Sequence, residues 1–133
     1  MKRGLFAAFA SSIISIFALH ASIAQGATIY YVDKDATGSG DGLSWANAFV
    51  TFRDALTTPT FGDQVWVAEG VYYPDEGEGA VDNDRDSTFL LAPGVMYFGG
   101  FEGTETVLDQ RDPLARPTIL SGDIGGDDWA IPA

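Results

Sequence analysis

The sequence predicts a mainly β domain whose short strands are joined through bends rather than hairpins. Residues 62–73, GDQVWVAEGVYY, alternate Val65 and Val67 with Gln64, Trp66 and Ala68. That period of two sends successive side chains to opposite faces of a strand. Glu69 and Gly70 interrupt the run, and Val71, Tyr72 and Tyr73 resume it without the two-residue turn pair of a hairpin, so the chain turns a corner between sheets. Further apolar strands recur around Tyr97 and Leu120, which lie 30 and 23 residues beyond Val67 and Tyr97 respectively. Those intervals fall within the roughly 20 to 45 residues expected of stacked repeats.

Before the first strand, residues 1–24 read as a secretory signal peptide. Lys2 and Arg3 form a positive start, residues 5–19 (LFAAFASSIISIFAL) an apolar run, and Ser22, Ile23 and Ala24 a small-x-small cleavage site, with Gly26 and Ala27 as the alternative positions. The run is shorter than the roughly 20 residues needed to cross a bilayer and is broken by serines, so no membrane span is expected after cleavage. Export to the cell surface or the medium follows. Cleavage removes two of seven basic residues and none of nineteen acidic ones, leaving residues 25–133 with five against nineteen, a net charge of −14. A chain so acidic repels nucleic acid and anionic lipid, and favours cations as ligands.

Cysteine is absent, and the one histidine, His20, lies within the signal segment. A Ser/His/Asp triad, a Cys nucleophile and the usual His or Cys zinc sites are thereby excluded from residues 25–133. Any chemistry would fall to carboxylates, Arg, Lys, Tyr or a bound hard cation.

Along the chain, residues 28–32 (TIYYV) are β-branched and aromatic and predict the first strand. Residues 33–42 (DKDATGSGDG) hold three glycines and three aspartates and form a loop, in which Asp33, Asp35 and Asp41 are candidate calcium ligands. In residues 44–57 the period changes. Trp45, Phe49, Phe52 and Leu56 fall at helical spacing, which predicts a short amphipathic helix capped by Ser44 or Asn47 and stopped by Pro59. An aromatic carbohydrate-binding platform is the alternative use of that stripe.

After the central run, residues 74–87 (PDEGEGAVDNDRDS) form an acidic surface excursion. Asp82, Asp84 and Asp86 have the 1, 3, 5 spacing of oxygen ligands in a calcium loop, which makes calcium the candidate cofactor. Ser87 and Pro93 stand where an EF-hand needs Gly and Glu, so the spacing matches that template only in part. Residues 88–91 (TFLL), 95–98 (VMYF) and 118–121 (TILS) predict the remaining strands.

Taken in order, YYVD, SWANAF, FRDAL, GDQVWVAEGVYYP, STFLLAPGVMYFGGFEGTET, LDQRDP and TILSGDIGGDD resemble the N-terminal portion of bacterial exported right-handed parallel β-helix proteins of the pectin-lyase-like superfamily. The resemblance covers residues 29–128. It implies that the predicted helix caps the N-terminal end of a solenoid, that residues 62–73 form its first rung with Gly70 at the bend, and that Trp66 sits on the outer face or beneath a covering loop.

Members of this superfamily usually continue for hundreds of residues, so the resemblance implies that residues 25–133 are an incomplete solenoid, a fragment of a longer protein. Its open last rung predicts that the isolated chain associates with itself or binds hydrophobic dyes. The implied function is a non-catalytic, structural or adhesive module contacting polysaccharide or other cell-surface components. Two alternatives stand beside it: part of a polysaccharide lyase or glycoside hydrolase, or a calcium-dependent interaction module. Arg85 beside Asp82, Asp84 and Asp86, and Arg111 between Asp109 and Asp112, are the local pairings of a base with ion ligands, and no catalytic residue is assigned to them.

Overall fold

The computed structural model describes residues 26–126; the expected signal peptide, residues 1–24, lies outside them. The fold is mainly β, with strands β1 (Ile29–Val32), β2 (Gln64–Ala68), β3 (Gly70–Tyr72), β4 (Met96–Phe101) and β5 (Thr118–Leu120). The helical elements among the described residues are single 3-10 turns at Asp54–Leu56 and Leu108–Gln110.

The strands form two sheets, ordered β1-β2-β4 and β3-β5. Every pair is parallel. Ile29 stands opposite Gln64, Gln64 opposite Met96 and Gly70 opposite Thr118. Thus β2 passes through a corner into β3, and β4 later lies on β2 while β5 lies on β3. The spacing read from the sequence placed Tyr97 and Leu120 in one series with Val67. Instead Tyr97 aligns with Val65, and Leu120 aligns with Tyr72 in the other sheet.

The corner has the predicted form. Gly70 adopts φ +145°, and a Cβ there would lie 3.1 Å from the Lys34 side chain, which is why glycine suits the position. Both sides of the corner bond to the following pass of the chain: Glu69 N–H donates to Phe101 O at 2.7 Å and Gly70 N–H to Pro117 O at 3.0 Å.

Val65 and Val67 of β2 join Val32, Phe49, Phe52, Ala55 and Tyr72 in one buried cluster, with Tyr30, Phe89 and Tyr97 packed against it. Trp66 points to the other face and is nevertheless only 2 % exposed. It stacks on Phe101 with centroids 4.8 Å apart, and Tyr31 meets it edge-on at 5.9 Å. The loop-borne Trp45 closes this second cluster against Tyr31 and Phe101. The expectation that Trp66 lies beneath a covering loop is met.

The amphipathic helix expected over residues 44–57 does not form. Phe49 is drawn into a parallel bridge with Val32. Its N–H donates to Tyr31 O at 2.9 Å, and its carbonyl accepts from Asp33 N–H at 2.9 Å. Those backbone groups are therefore unavailable for i to i−4 bonds. Only the end of the segment winds, where Thr51 Oγ1 accepts Asp54 N–H and donates to Asp54 Oδ2 before the single turn at Asp54–Leu56. The apolar stripe is divided accordingly. Phe49 and Phe52 enter the main core with Leu56 beside them, while Trp45 serves the second cluster. Covering still occurs: Tyr31 N–H donates to Gly42 O at 2.8 Å, so residues 42–49 occupy the β1 edge that faces away from β2.

Residues 88–91 make no ladder pairing either, and Leu90 and Leu91 are exposed. In β4 the register slips opposite Val67 and Ala68, leaving Gly100 as a bulge with φ +94°. The released groups find partners. Gly100 N–H donates to Thr118 Oγ1 at 3.1 Å, and its carbonyl accepts from Asp112 N–H at 2.7 Å.

Candidate functional site

The carboxylates singled out by spacing do not converge. Asp33 and Asp35 line one shallow groove of about 590 Å³ together with Ser44, Trp45 and Thr104, and Asp41 is committed elsewhere. Its Oδ1 accepts Leu43 N–H at 2.9 Å and its Oδ2 accepts the Ser39 hydroxyl at 2.8 Å. These two donors, Leu43 first, hold the Asp41 carboxyl below its ordinary value. Asp33 Oδ1 is spent on Asp35 N–H at 2.9 Å.

The Asp82, Asp84 and Asp86 triplet is also divided. Asp82 faces a depression with Asp75, Glu76 and Asp123, whereas Asp84 and Asp86 line another with Arg53, Leu56 and Leu90. Asp84 turns inward on its own loop, its Oδ1 accepting Asp86 N–H at 3.1 Å and its Oδ2 accepting the Ser87 hydroxyl at 3.1 Å. Asn83 between them takes φ +60°. Among the described residues no group of three or more His, Cys, Asp or Glu side chains could hold a metal ion.

Arg111 does not act with its acidic neighbours in sequence. Its guanidinium lies 5.5 Å from the Phe98 ring centroid and donates to Gly99 O at 3.4 Å. Asp112 Oδ1 accepts Leu114 and Ala115 N–H, both at 3.1 Å.

The open groove beside Trp45 has a wall built from the loop after β4. There Glu105 folds back so that Oε1 accepts Glu102 N–H at 2.6 Å and Oε2 accepts Gly103 and Thr104 N–H at 3.0 Å. Burial raises the Glu105 pKa, and these backbone donors more than offset it, so the carboxyl sits below its ordinary value. Glu105 O in turn accepts the Trp45 indole N–H at 2.8 Å, fixing the ring to the wall. Gly103, at φ +106°, brings the chain so close that a Cβ would stand 3.0 Å from Asp33 Oδ2. At the corner behind, Arg116 bridges Glu69 at 2.7 Å and Glu102 at 2.8 Å. The Glu69 bond first, then the Glu102 charge, strengthens its hold on its proton.

The groove offers carboxylates, hydroxyls and part of an indole to solvent, a hydrogen-bonding surface with no nucleophile activated by a base. Tyr72 is no acid–base candidate either: burial pushes its phenol well above its ordinary value, and its hydroxyl donates to Ala68 O at 3.2 Å. Glu105, Thr118 and Arg116 were not singled out from the sequence. The Glu-Gly-Thr-Glu run carried a weak signal of a carboxylate folding onto a glycine turn, and the partners of Thr118 lie too far away in sequence to signal anything.

Comparison with known proteins returned no matching family model, no matching curated protein and no matching solved structure. Within the described residues no helix is long and apolar enough to cross a membrane.

Proposed function

We propose that this chain is a non-catalytic, exported or cell-surface module, the N-terminal cap and first rungs of a right-handed parallel β-helix of the pectin-lyase-like kind. One observation carries the reading: β2 and β3 are followed by β4 and β5, with β4 parallel on β2 and β5 parallel on β3. A two-sheet path repeated one layer further on is what the first rungs of a solenoid would produce, and it supports that reading. The cover over β1 by residues 42–49 supports a cap, since an open end would expose unpaired strand groups. Carboxylates turned onto their own loops, as at Asp84 and Glu105, fit a scaffold better than a catalytic centre.

Such a module would support or display a surface that contacts polysaccharide. Two measurements test it. The tagged full-length protein is expected in the medium or on the cell surface, with Gln25 as its first residue. Retention in the cytoplasm with Met1 intact would defeat the export reading. The purified protein, incubated with polygalacturonate and calcium, is expected to generate no absorbance from unsaturated product. Its appearance would replace this reading with the lyase.

A further inference from the structure

The shallow groove beside Trp45 joins an aromatic ring to polar groups that the fold leaves over. It has a volume of about 590 Å³, and Asp33, Asp35, Thr37, Ser44, Trp45 and Thr104 line it. Three contacts hold the half-buried Trp45: its indole N–H donates to Glu105 O at 2.8 Å, and its ring meets Tyr31 at 4.7 Å and Phe101 at 5.6 Å. The part of the ring left in the groove is thus fixed before any ligand arrives, which spares the ordering cost of binding. Around it the polar side chains are only partly used. Asp33 spends Oδ1 on Asp35 N–H at 2.9 Å and keeps Oδ2, Ser44 Oγ accepts Asn47 N–H at 3.2 Å and keeps its proton to donate, and Asp35, Thr37 and Thr104 are exposed.

The charge of the groove has one sign. Asp33 and Asp35 line it, and no Lys or Arg does. Lys34, between them in sequence, lies toward the corner, where a Cβ on Gly70 would stand 3.1 Å from its side chain, and Arg116 is held by Glu69 and Glu102. A uronate or phosphate ligand would therefore bring its charge against two carboxylates with no cation to receive it. A metal ion is poorly served too, since the described residues bring together no group of three ligating side chains that could hold one. What the groove suits is a ligand with an apolar face for the ring and neutral hydroxyls to donate to carboxylate oxygens. A sugar ring has both, and a shallow groove leaves room for its neighbours in a polymer to run on.

We propose that this groove binds an uncharged polysaccharide, with Trp45 as the platform and Asp33 and Asp35 as acceptors that also turn uronate polymers away. The inference rests on the reading of the chain as a module that contacts polysaccharide, and gives that contact a place and a charge. Native electrophoresis of the purified protein through gels cast with galactomannan, xyloglucan or mixed-linkage glucan, and with polygalacturonate, tests it. At least one neutral polymer is expected to retard the protein, and polygalacturonate to leave its mobility unchanged. Asp35→Ala removes an exposed carboxylate and is expected to weaken the retardation about tenfold. Trp45→Phe keeps a ring in place without the indole N–H and is expected to weaken it less, with far-UV circular dichroism confirming that both variants are folded. A neutral polymer that retards both variants as strongly as the wild type would overturn the groove as the site and leave polysaccharide contact standing. Retardation by polygalacturonate as strong as by any neutral polymer would overturn the selection by charge. No retardation in any gel would overturn the proposal together with polysaccharide contact.

Discussion

The carboxylate of Asp63 accepts the backbone N–H of Thr28 at 2.8 Å, joining the start of β1 to the start of β2 across 35 residues of sequence. Its other oxygen accepts the Thr60 N–H at 2.8 Å and the Thr60 hydroxyl at 3.0 Å, and its own carbonyl receives Met96 N–H from β4. One residue, 7 % exposed, therefore ties together the entry points of all three strands of the first sheet. Asp63→Ala leaves the two backbone donors without a partner, and it is expected to cost about 1–3 kcal/mol, read as a lower denaturant midpoint at unchanged slope. No loss would show that water replaces the carboxylate at no cost.

The same residue predicts an acid transition. Thr60 N–H first, then Thr28 N–H, hold the Asp63 carboxyl below its ordinary value, so its contribution is complete above the unfolded pKa of about 3.9 and disappears as pH falls through the lower folded value. Stability measured between pH 5 and pH 2, on the order of that window, should fall less steeply in Asp63→Asn than in the wild type.

Phe52, 2 % exposed, sits among the rings of Tyr72, Phe89 and Tyr97 with centroids 5.3 to 6.4 Å away. Phe52→Ala opens a cavity where three elements meet and is expected to cost about 3–5 kcal/mol. Leu43→Ala, at a residue 60 % exposed, should stay within about 0.5 kcal/mol. Thermal unfolding of the pair decides whether Phe52 is core or cover.

Gly100 and Gly70 both adopt positive φ but differ in what surrounds them. A Cβ at Gly100 meets Pro113 backbone atoms at 2.7 and 2.8 Å, whereas one at Gly70 meets the flexible end of Lys34 at 3.1 Å and Tyr72 Cε2 at an ordinary 3.6 Å. Gly100→Ala is expected to cost more than Gly70→Ala, which should carry mainly the conformational cost of about 1–3 kcal/mol. Equal losses would mean that the chain at Pro113 yields freely.

Thr118 reaches from β5 to the other sheet, its hydroxyl donating to Ala68 O at 3.0 Å and accepting Gly100 N–H at 3.1 Å. Thr118→Val keeps the shape and removes both bonds, so a loss of about 1–2 kcal/mol is expected in denaturant unfolding. A neutral result would indicate that packing alone joins the sheets.

Much of the fold was legible because strand signals are local. The alternation of Val65 and Val67 placed β2, and the glycine after Glu69 placed the corner. The helix over residues 44–57 misled because Trp45, Phe49 and Phe52 happen to match a helical period while serving two clusters on opposite faces of β2. What overrode the period was Tyr31, whose outward backbone groups recruited Gly42 and Phe49. The site was less legible. Asp82, Asp84 and Asp86 have the spacing of ligands, but spacing does not fix direction, and the positive φ of Asn83 belongs to a loop that sends them into two different depressions.

The parallel registers also govern how the molecule comes to exist. Ile29 must wait for Gln64, Gln64 for Met96 and Gly70 for Thr118, separations of 35, 32 and 48 residues. With every ladder closed over such distances, loop entropy is spent before any pairing returns it, and folding belongs in the millisecond-to-second range of non-local topologies. A nascent chain shorter than about sixty-eight residues, the end of β2, can complete no ladder at all, so it stays extended and threadable until β2 has been made.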